Sequence, residues 1–474
     1  MFRINKIKNI DRQDIDVSFD NEHTNKNYFS IITGENGCGK SSLLTRAVNN
    51  FVFKNIDRMT SCQIMDGSIE GPSRVIAICN ARYSKFPRMI QVLRKNDYKP
   101  HNFYIHAEHD AEIGKSLLSI FGNILRESFI KDTRSNLSGV TDAFRTIGVI
   151  PNFLIDIRLN NLLIASYKRY EKNDFDINKT PLSSDSDNVR KVIEWEGGIE
   201  NNNLSQAQVI DYLERNSDII NARCRVDFSA VDGIVKLSSD VDLNSEFILS
   251  GINRGFLEPK NLKIQRMDSL RWVSYQDLSS GQLSLLINAL ILRIFVKENA
   301  LICIDEPENS LHPEWQLNYM SFLRDLCPSN AGCHFLIATH SPQIISGMTS
   351  DNGCIVSLLK DSPLNHIHFR KMKRNEAGYN SFHQELHSAS SYLRRSADQQ
   401  LIDVFNSPGF ANESIIHRLI LILTKMTKKL PINSSDFKYL NEIGEFIRYG
   451  RIDELDPATL IFKQIMSIKM AGQK

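Results

Sequence analysis

No pair of cysteines in this chain has C-x-x-C spacing, although eight cysteines are present, so a cysteine-based metal centre is not expected. Cys38 and Cys303 read as small reduced residues rather than disulfide partners. Neither sign of charge is in excess: 57 Lys and Arg against 55 Asp and Glu leave a formal net charge of +2. That balance excludes broad electrostatic attraction to nucleic acid or to a membrane surface. Two short basic runs, Phe369–Arg374 and Lys425 with Lys428 and Lys429, remain as local patches, and such runs are usually solvated faces. Long apolar runs are missing too. The stretches around Leu283–Val296 and Ile415–Met426 are interrupted by Asn, Arg or Lys and are too short to span a bilayer. The first residues, Met1-Phe2-Arg3-Ile4-Asn5-Lys6, carry no apolar signal core, so a cytoplasmic protein without a membrane partner is expected. Sustained heptads are absent, which excludes a long coiled coil. No tandem repeat or low-complexity tract is present.

Within this composition one stretch carries specific chemistry: Gly34-Glu35-Asn36-Gly37-Cys38-Gly39-Lys40-Ser41. It follows an apolar strand pattern, Tyr28-Phe29-Ser30-Ile31-Ile32, and runs into Ser42-Leu43-Leu44, which reads as a helix start. This is the complete G-x-x-x-x-G-K-[ST] pattern in the setting that gives it meaning. The glycines let the backbone curl so that successive N–H groups converge on a β-phosphate, with a helix N-terminus behind them. Lys40 is expected to reach the β- and γ-phosphates, and the Ser41 hydroxyl to ligate Mg²⁺.

A second element supports the first. Leu301-Ile302-Cys303-Ile304-Asp305-Glu306 is a continuous apolar run ending in two carboxylates, the pattern of a central parallel strand buried on both faces. Asp305 is expected to hold Mg²⁺ through water, and Glu306 to orient and deprotonate an attacking water. A further apolar strand, His334-Phe335-Leu336-Ile337-Ala338, ends in Thr339-His340-Ser341-Pro342. His340, at a strand's carboxyl end beside a nucleotide, can donate a hydrogen bond to the γ-phosphate.

Between these lies Leu278-Ser279-Ser280-Gly281-Gln282, followed by an apolar helix pattern. Here the chain resembles the ABC ATPase family, whose signature is L-S-G-G-Q at a helix start. Ser280 stands at the first position of the Gly pair, a departure shared by the SMC-like branch. The resemblance implies that ATP is the nucleotide and that Ser279, Ser280, Gly281 and Gln282 contact the ATP held by another subunit. Two copies would sandwich two ATP molecules head to tail, giving a homodimer or a higher even-numbered homo-oligomer. The family also places a glutamine that links Mg²⁺ to a helical subdomain at the end of a strand such as Arg74–Cys79. No clear glutamine occurs there, and Asn80 is its tentative substitute.

Asp305-Glu306-Pro307-Glu308-Asn309-Ser310-Leu311-His312-Pro313 departs from the S-A-L-D loop of transporters and resembles the D-E-P-E-x-x-L-H-P form of OLD, RecF and related soluble ATPases. The Toprim nuclease of the OLD proteins has a D-x-D turn at a strand end. Beyond His340 no such turn follows an apolar strand, so no nuclease site is expected in this chain. With Pro72–Ala77, Lys85-Phe86-Pro87 and Ser407–Glu413, the chain looks most like PtuA, the ATPase subunit of Septu anti-phage systems, which also occurs in some retron operons. That resemblance implies an HNH endonuclease subunit as partner, with DNA reached through the complex. A RecF-like or SMC-like DNA repair ATPase, and a scaffold that binds ATP with little hydrolysis, are the other readings.

The expected fold class is therefore α/β: an ABC-type P-loop ATPase head with a compact helical insertion and a helical C-terminal region. Residues 1–109 form the first ATPase half, 110–240 the insertion, 241–376 the second half and 377–474 the helical region. Helices are expected at Ile113–Leu125, Leu154–Tyr170, Leu204–Ile220, Phe382–Arg395, Glu413–Lys428 and Ser435–Tyr449. Strands are expected at Phe2–Ile7, Ile15–Phe19, Arg74–Cys79, Val226–Phe228, Phe247–Leu249, Leu262–Gln265, Cys354–Leu358 and Ile367–Phe369. His383 and His387, four apart, could pair on a helix, but no third ligand accompanies them.

Overall fold

The computed structural model describes residues 1–8, 14–19, 25–34, 36–53, 61–81, 83–87, 103–108, 144–145, 147–159, 224–229, 257–348, 352–360, 382–391, 397–403 and 408–471. The chain begins with strands β1 (Ile4–Ile7), β2 (Ile15–Asp16) and β3 (Tyr28–Gly34), then helix α1 (Lys40–Val52). Strands β4 (Cys62–Ile64), β5 (Arg74–Cys79), β6 (Phe103–Glu108), β7 (Val149–Leu159), β8 (Cys224–Ser229), β9 (Leu257–Arg266) and β10 (Trp272–Ser274) follow. Next come α2 (Ser280–Phe295), β11 (Leu301–Asp305), α3 (Pro313–Leu326), β12 (His334–Ala338), the short α4 (Pro342–Ser346), β13 (Gly353–Lys360) and β14 (Phe382–Ser388). Helices α5 (Ala397–Asp403), α6 (Glu413–Thr427), α7 (Ser434–Arg448) and α8 (Pro457–Ala471) close the described chain.

The central layer is a seven-stranded sheet in the order β14-β13-β3-β12-β11-β5-β6, parallel except for the β13–β14 pair. Its strands β3, β5, β11 and β12 are buried along their whole length and mostly apolar because both faces are covered. Successive side chains point to opposite faces. Leu301 and Cys303 of β11 join Leu43, Leu44, Ala47 and Val48 of α1 in one cluster. Ile302 and Ile304 join Leu286, Leu290 and Tyr319 of α2 and α3 in the other. A sandwich of helices around a parallel sheet results, so the expected α/β class is observed as a mixed α/β fold.

Strands β1, β2 and β4 form a small antiparallel sheet. A four-stranded antiparallel sheet, β10-β9-β7-β8, contributes Val149, Phe153, Leu262 and Ile264 to the core cluster of α2. This corrects the helix expected from Leu154 to Tyr170: residues to Leu159 are the second half of β7. Ile155, Ile157 and Leu159 alternate with Asp156 and Arg158, a period of two, and β8 and β9 flank the strand on both sides. The rest of that helix, the helices at Ile113–Leu125 and Leu204–Ile220 and the strands at Phe247–Leu249 and Ile367–Phe369 lie outside the described residues, as does the basic run Phe369–Arg374.

A second correction concerns Phe382–Arg395, expected as a helix. Residues Phe382–Ser388 are β14, paired with β13 from Lys360↔Phe382 to Cys354↔Ser388. Gln384 also bonds the backbone of Asp16 through both side-chain atoms, at 3.0 and 2.7 Å. Gln, Glu and Leu favour helix locally, and an open sheet edge overrides that preference. His383 and His387 therefore lie on a strand, and His387 sits 3.3 Å from Glu385. Among the described residues no cluster of His, Cys, Asp and Glu could hold a metal ion. Further on, α6, α7 and α8 pack around Ile415, Leu419, Ile422, Leu440, Ile443 and Ile465. Helix α8, inside the region expected to be helical though not bounded there, is capped by Asp456, whose Oδ1 accepts from Ala458 N–H at 2.8 Å. No described helix is long and apolar enough to cross a membrane.

Candidate nucleotide-binding site

Strand register puts four carboxyl ends in one row. Cys79 pairs with Asp305, Asp305 with Ala338, and Ala338 with Ile32. The following residues extend the row: Asn80 N–H donates to Asp305 O (3.0 Å), Glu306 N–H to Ala338 O (2.9 Å) and Thr339 N–H to Ile32 O (3.0 Å). The crevice outside the carboxyl ends of parallel strands is where open α/β sheets bind ligands. Because β12 lies between β3 and β11, His340 is delivered between the glycine-rich loop and the Asp305–Glu306 pair.

The loop begins at Gly34, at φ 149°, where an added Cβ would lie 2.4 Å from Leu358 O and 2.8 Å from Cys38 Sγ. Only a residue without a side chain lets β3 turn there. Helix α1 starts at Lys40 directly after Gly39, so its unpaired N–H groups sit at the loop. Lys40 is buried. Its Nζ donates to Gly34 O at 2.9 Å and lies 3.4 Å from His340 Nδ1 and 3.7 Å from Cys38 Sγ. Burial lowers the Lys40 pKa, with Cys38 acting the other way. The His340 pKa is lowered as well, first by burial and then by the Lys40 charge. A neutral ring with Nδ1 as acceptor suits a neighbouring ammonium and leaves Nε2–H as a donor.

Ser41 Oγ donates to Asp305 Oδ1 at 3.1 Å, so the two expected Mg²⁺ ligands meet. Asp305 is buried, and burial pushes its carboxyl up to about 6, with the Ser41 bond opposing and Glu306 adding to the rise. Glu306 adopts φ 51°, an uncommon backbone for a side chain of its size, and its Oε2 accepts from Asn309 Nδ2 at 2.8 Å. Its charge acts on both Lys40 and His340. Lys40, Ser41, Asp305, Glu306 and His340 thus come together from two strand ends and one helix start. Asn36, Gly37 and Ser42 lie in the same loop and first turn, and Glu35 lies outside the described residues.

Asn80 is buried beside this row, but its side-chain oxygen accepts from Ser284 Oγ of α2 at 3.2 Å, and its carbonyl accepts from Asn309 Nδ2 at 3.3 Å. The Leu278–Gln282 stretch opens α2 as expected. Ser279 is its N-cap, accepting from Gln282 N–H at 3.2 Å, while Gln282 Oε1 accepts from Ser279 N–H at 3.1 Å. Ser279 and Ser280 are exposed. Gly281 is buried for a reason inside the chain: a Cβ there would lie 2.5 Å from Ser310 O and 3.3 Å from the Trp315 ring.

Sequence reasoning gave no role to three site residues. Lys85 Nζ donates to Ser42 Oγ at 3.4 Å and draws on the Asp305 charge. Asn309 holds Glu306, and Glu308 accepts from Thr339 Oγ1 at 2.8 Å and from the His340 N–H. The last carboxylate of Asp-Glu-Pro-Glu was a readable signal, because an acidic group beside a core strand needs partners.

A glycine-rich loop, a lysine, a serine–aspartate pair and a glutamate stand together here, the residue types that phosphate binding and phosphoryl transfer use. Residues 155–346 match the family described as "AAA domain, putative AbiEii toxin, Type IV TA system". The matched stretch, less than half of the chain, contains Ser279–Gln282, Asp305, Glu306 and His340. No curated protein matches the chain. Among solved structures, the chain is similar to the Smc head domain with an extended coiled coil, bound to the C-terminal domain of ScpA, from Pyrococcus furiosus. The identity is 12%, with 82% of this chain and 98% of that chain covered and a TM-score of 0.30.

Proposed function

We propose that this chain binds and hydrolyses ATP with Mg²⁺, and that two copies close head to tail around two nucleotides. The observation that carries the reading is the convergence of Lys40, the Ser41–Asp305 pair, Glu306 and His340 at neighbouring strand ends. The donor set fits the group: a hydroxyl and a carboxylate oxygen already 3.1 Å apart suit a hard divalent cation, and a buried ammonium suits phosphate. Ser41 and Asp305 would hold Mg²⁺, Lys40 and the Gly34–Ser42 backbone the phosphates. Bound Mg²⁺ supplies charge neutralisation on the phosphates. Glu306 then orients a water and takes its proton, and His340 donates from Nε2 toward the terminal phosphate. The exposed Ser279 and Ser280 at the start of α2 offer a hydroxyl and helix N–H groups to the neighbour's ATP.

At the finer level, the chain is the ATPase subunit of a Septu-type anti-phage complex, PtuA-like, in which nucleotide state controls an HNH endonuclease partner. The Asp305–Pro313 run, the flanking matches near Pro72 and Ser407, and the lack of a D-x-D turn on a strand beyond His340 support this division of labour. The test is ATP binding by the purified chain with Mg²⁺. Wild type is expected to bind and Lys40→Ala to bind far more weakly; equal binding by the two would remove the loop from its role.

A further inference from the structure

We propose that Glu308 is a positioning residue for ATP hydrolysis, its carboxylate clamping the backbone of the loop that presents His340. The proposal rests on the ATPase reading above. Glu308 lies between β11 and α3 and reaches across to the end of β12, where Oε2 accepts from Thr339 Oγ1 at 2.8 Å and Oε1 from the His340 N–H. Among the described residues no lysine or arginine lies within ion-pair distance of it, although its charge acts on Lys40. The carboxylate is therefore held by the very loop it grips. Burial raises its pKa and the His340 N–H opposes that rise.

The surrounding bonds make the clamp stiff. The Glu308 carbonyl accepts from Leu311 N–H at 3.0 Å, and Gln316 Nε2 donates to Leu311 O at 2.9 Å. Gln316 Oε1 in turn accepts from Ser341 Oγ at 2.6 Å, and Thr339 Oγ1 accepts from Ser341 N–H at 3.0 Å. Thr339, His340 and Ser341 are thus each tied to the Glu308–Gln316 segment or to one another. Asn309, next in sequence, holds Glu306. One short loop therefore sets both the carboxylate that faces the water and the imidazole that faces the phosphate. Glu308 itself makes no contact that would bind ATP; it acts through His340. Charge-assisted bonds to backbone N–H groups are strong and directional, which suits a clamp better than a lone hydroxyl would.

The experiment is a double-mutant cycle on the purified full chain, reading kcat and KM for ATP together with ATP binding. Glu308→Ala is expected to lower kcat by about 10²-fold, the scale set by misplacing a catalytic group by about 1 Å. Its KM and ATP binding should stay within about threefold of wild type, because uniform binding is untouched. Glu308→Ala with His340→Ala should be no slower than the slower single variant, since both remove one unit. Glu308→Gln keeps an oxygen for the His340 N–H and should lose about 10-fold, and it carries the same cycle if the alanine variant does not fold. Losses that multiply in the double variant, or a raised KM with unchanged kcat, overturn the clamp. If Glu306→Gln and His340→Ala hydrolyse at the wild-type rate, the ATPase reading fails and the clamp with it. If those two are slow while both Glu308 variants match wild type, only the clamp falls.

Discussion

His334 and His340 sit at opposite ends of β12, and the structure gives them opposite duties. His334 is fully buried: its Nδ1 accepts from Ile4 N–H at 3.0 Å, and its Nε2 lies 2.8 Å from Ser30 Oγ, which donates to Val17 O. The ring is therefore neutral with its proton on Nε2, and it ties β1 to β12 and β3. Burial, followed by the nearby Arg3 charge, holds its pKa well below 6.5. His334→Leu strands the Ile4 N–H in the interior, where an unmade bond costs about 1–3 kcal/mol. The wild type has its own liability. A histidine whose folded pKa is depressed binds fewer protons folded than unfolded, so its contribution is complete above about pH 6.5 and is lost as pH falls below that value. At pH 5.5, one unit below the unfolded pKa, the loss is about 1.4 kcal/mol. Urea denaturation of both proteins at pH 7.5 and 5.5 reads both effects. Wild type should be more stable by about 1–3 kcal/mol at pH 7.5, and the gap should narrow by about 1.4 kcal/mol at pH 5.5. Equal stability at pH 7.5, or a gap that widens on acidification, would refute the assigned network.

Two further outcomes bear on assembly and division of labour. Ser279→Arg should bind ATP yet fail to hydrolyse it, and mixing it with Lys40→Ala should partly restore hydrolysis, because each mixed dimer keeps one site with an intact loop and an intact signature; no recovery where mixed dimers demonstrably form counts against sites shared between subunits. The lone chain with Mg²⁺ or Mn²⁺ should leave DNA and RNA uncut, cleavage appearing only with an HNH partner and varying with nucleotide; robust cutting by the lone, contaminant-free chain that survives Lys40→Ala would reveal a missed active site.

What was legible in the sequence was what depends on local pattern. Strands β3, β11 and β12 are mostly apolar because both their faces are buried, and the residue types the site needs stand at or just after their carboxyl ends. The capped start of α2 was legible for the same reason, since Ser279 and Gln282 satisfy each other's backbone within one turn. The second half of β7 was read as helix although Ile155, Ile157 and Leu159 alternate as in a strand, whereas β14 has residues that favour helix and is made a strand by its distant partner β13. Glu308 and Asn309 were in plain view, but their work consists of bonds to His340 and Glu306, which spacing alone does not disclose. Gly281 carried the opposite lesson. It was expected to contact a neighbour's ATP, and within the chain it already makes room for Ser310 and Trp315.

The central claim is that Glu306 assists hydrolysis in a site whose binding depends on Lys40. The most direct measurement is phosphate release alongside ATP binding for Glu306→Gln and Lys40→Ala. Glu306→Gln should bind ATP as wild type does and hydrolyse it about 10²–10⁴-fold more slowly, while Lys40→Ala should lose binding itself. Hydrolysis by Glu306→Gln at the wild-type rate would contradict the account.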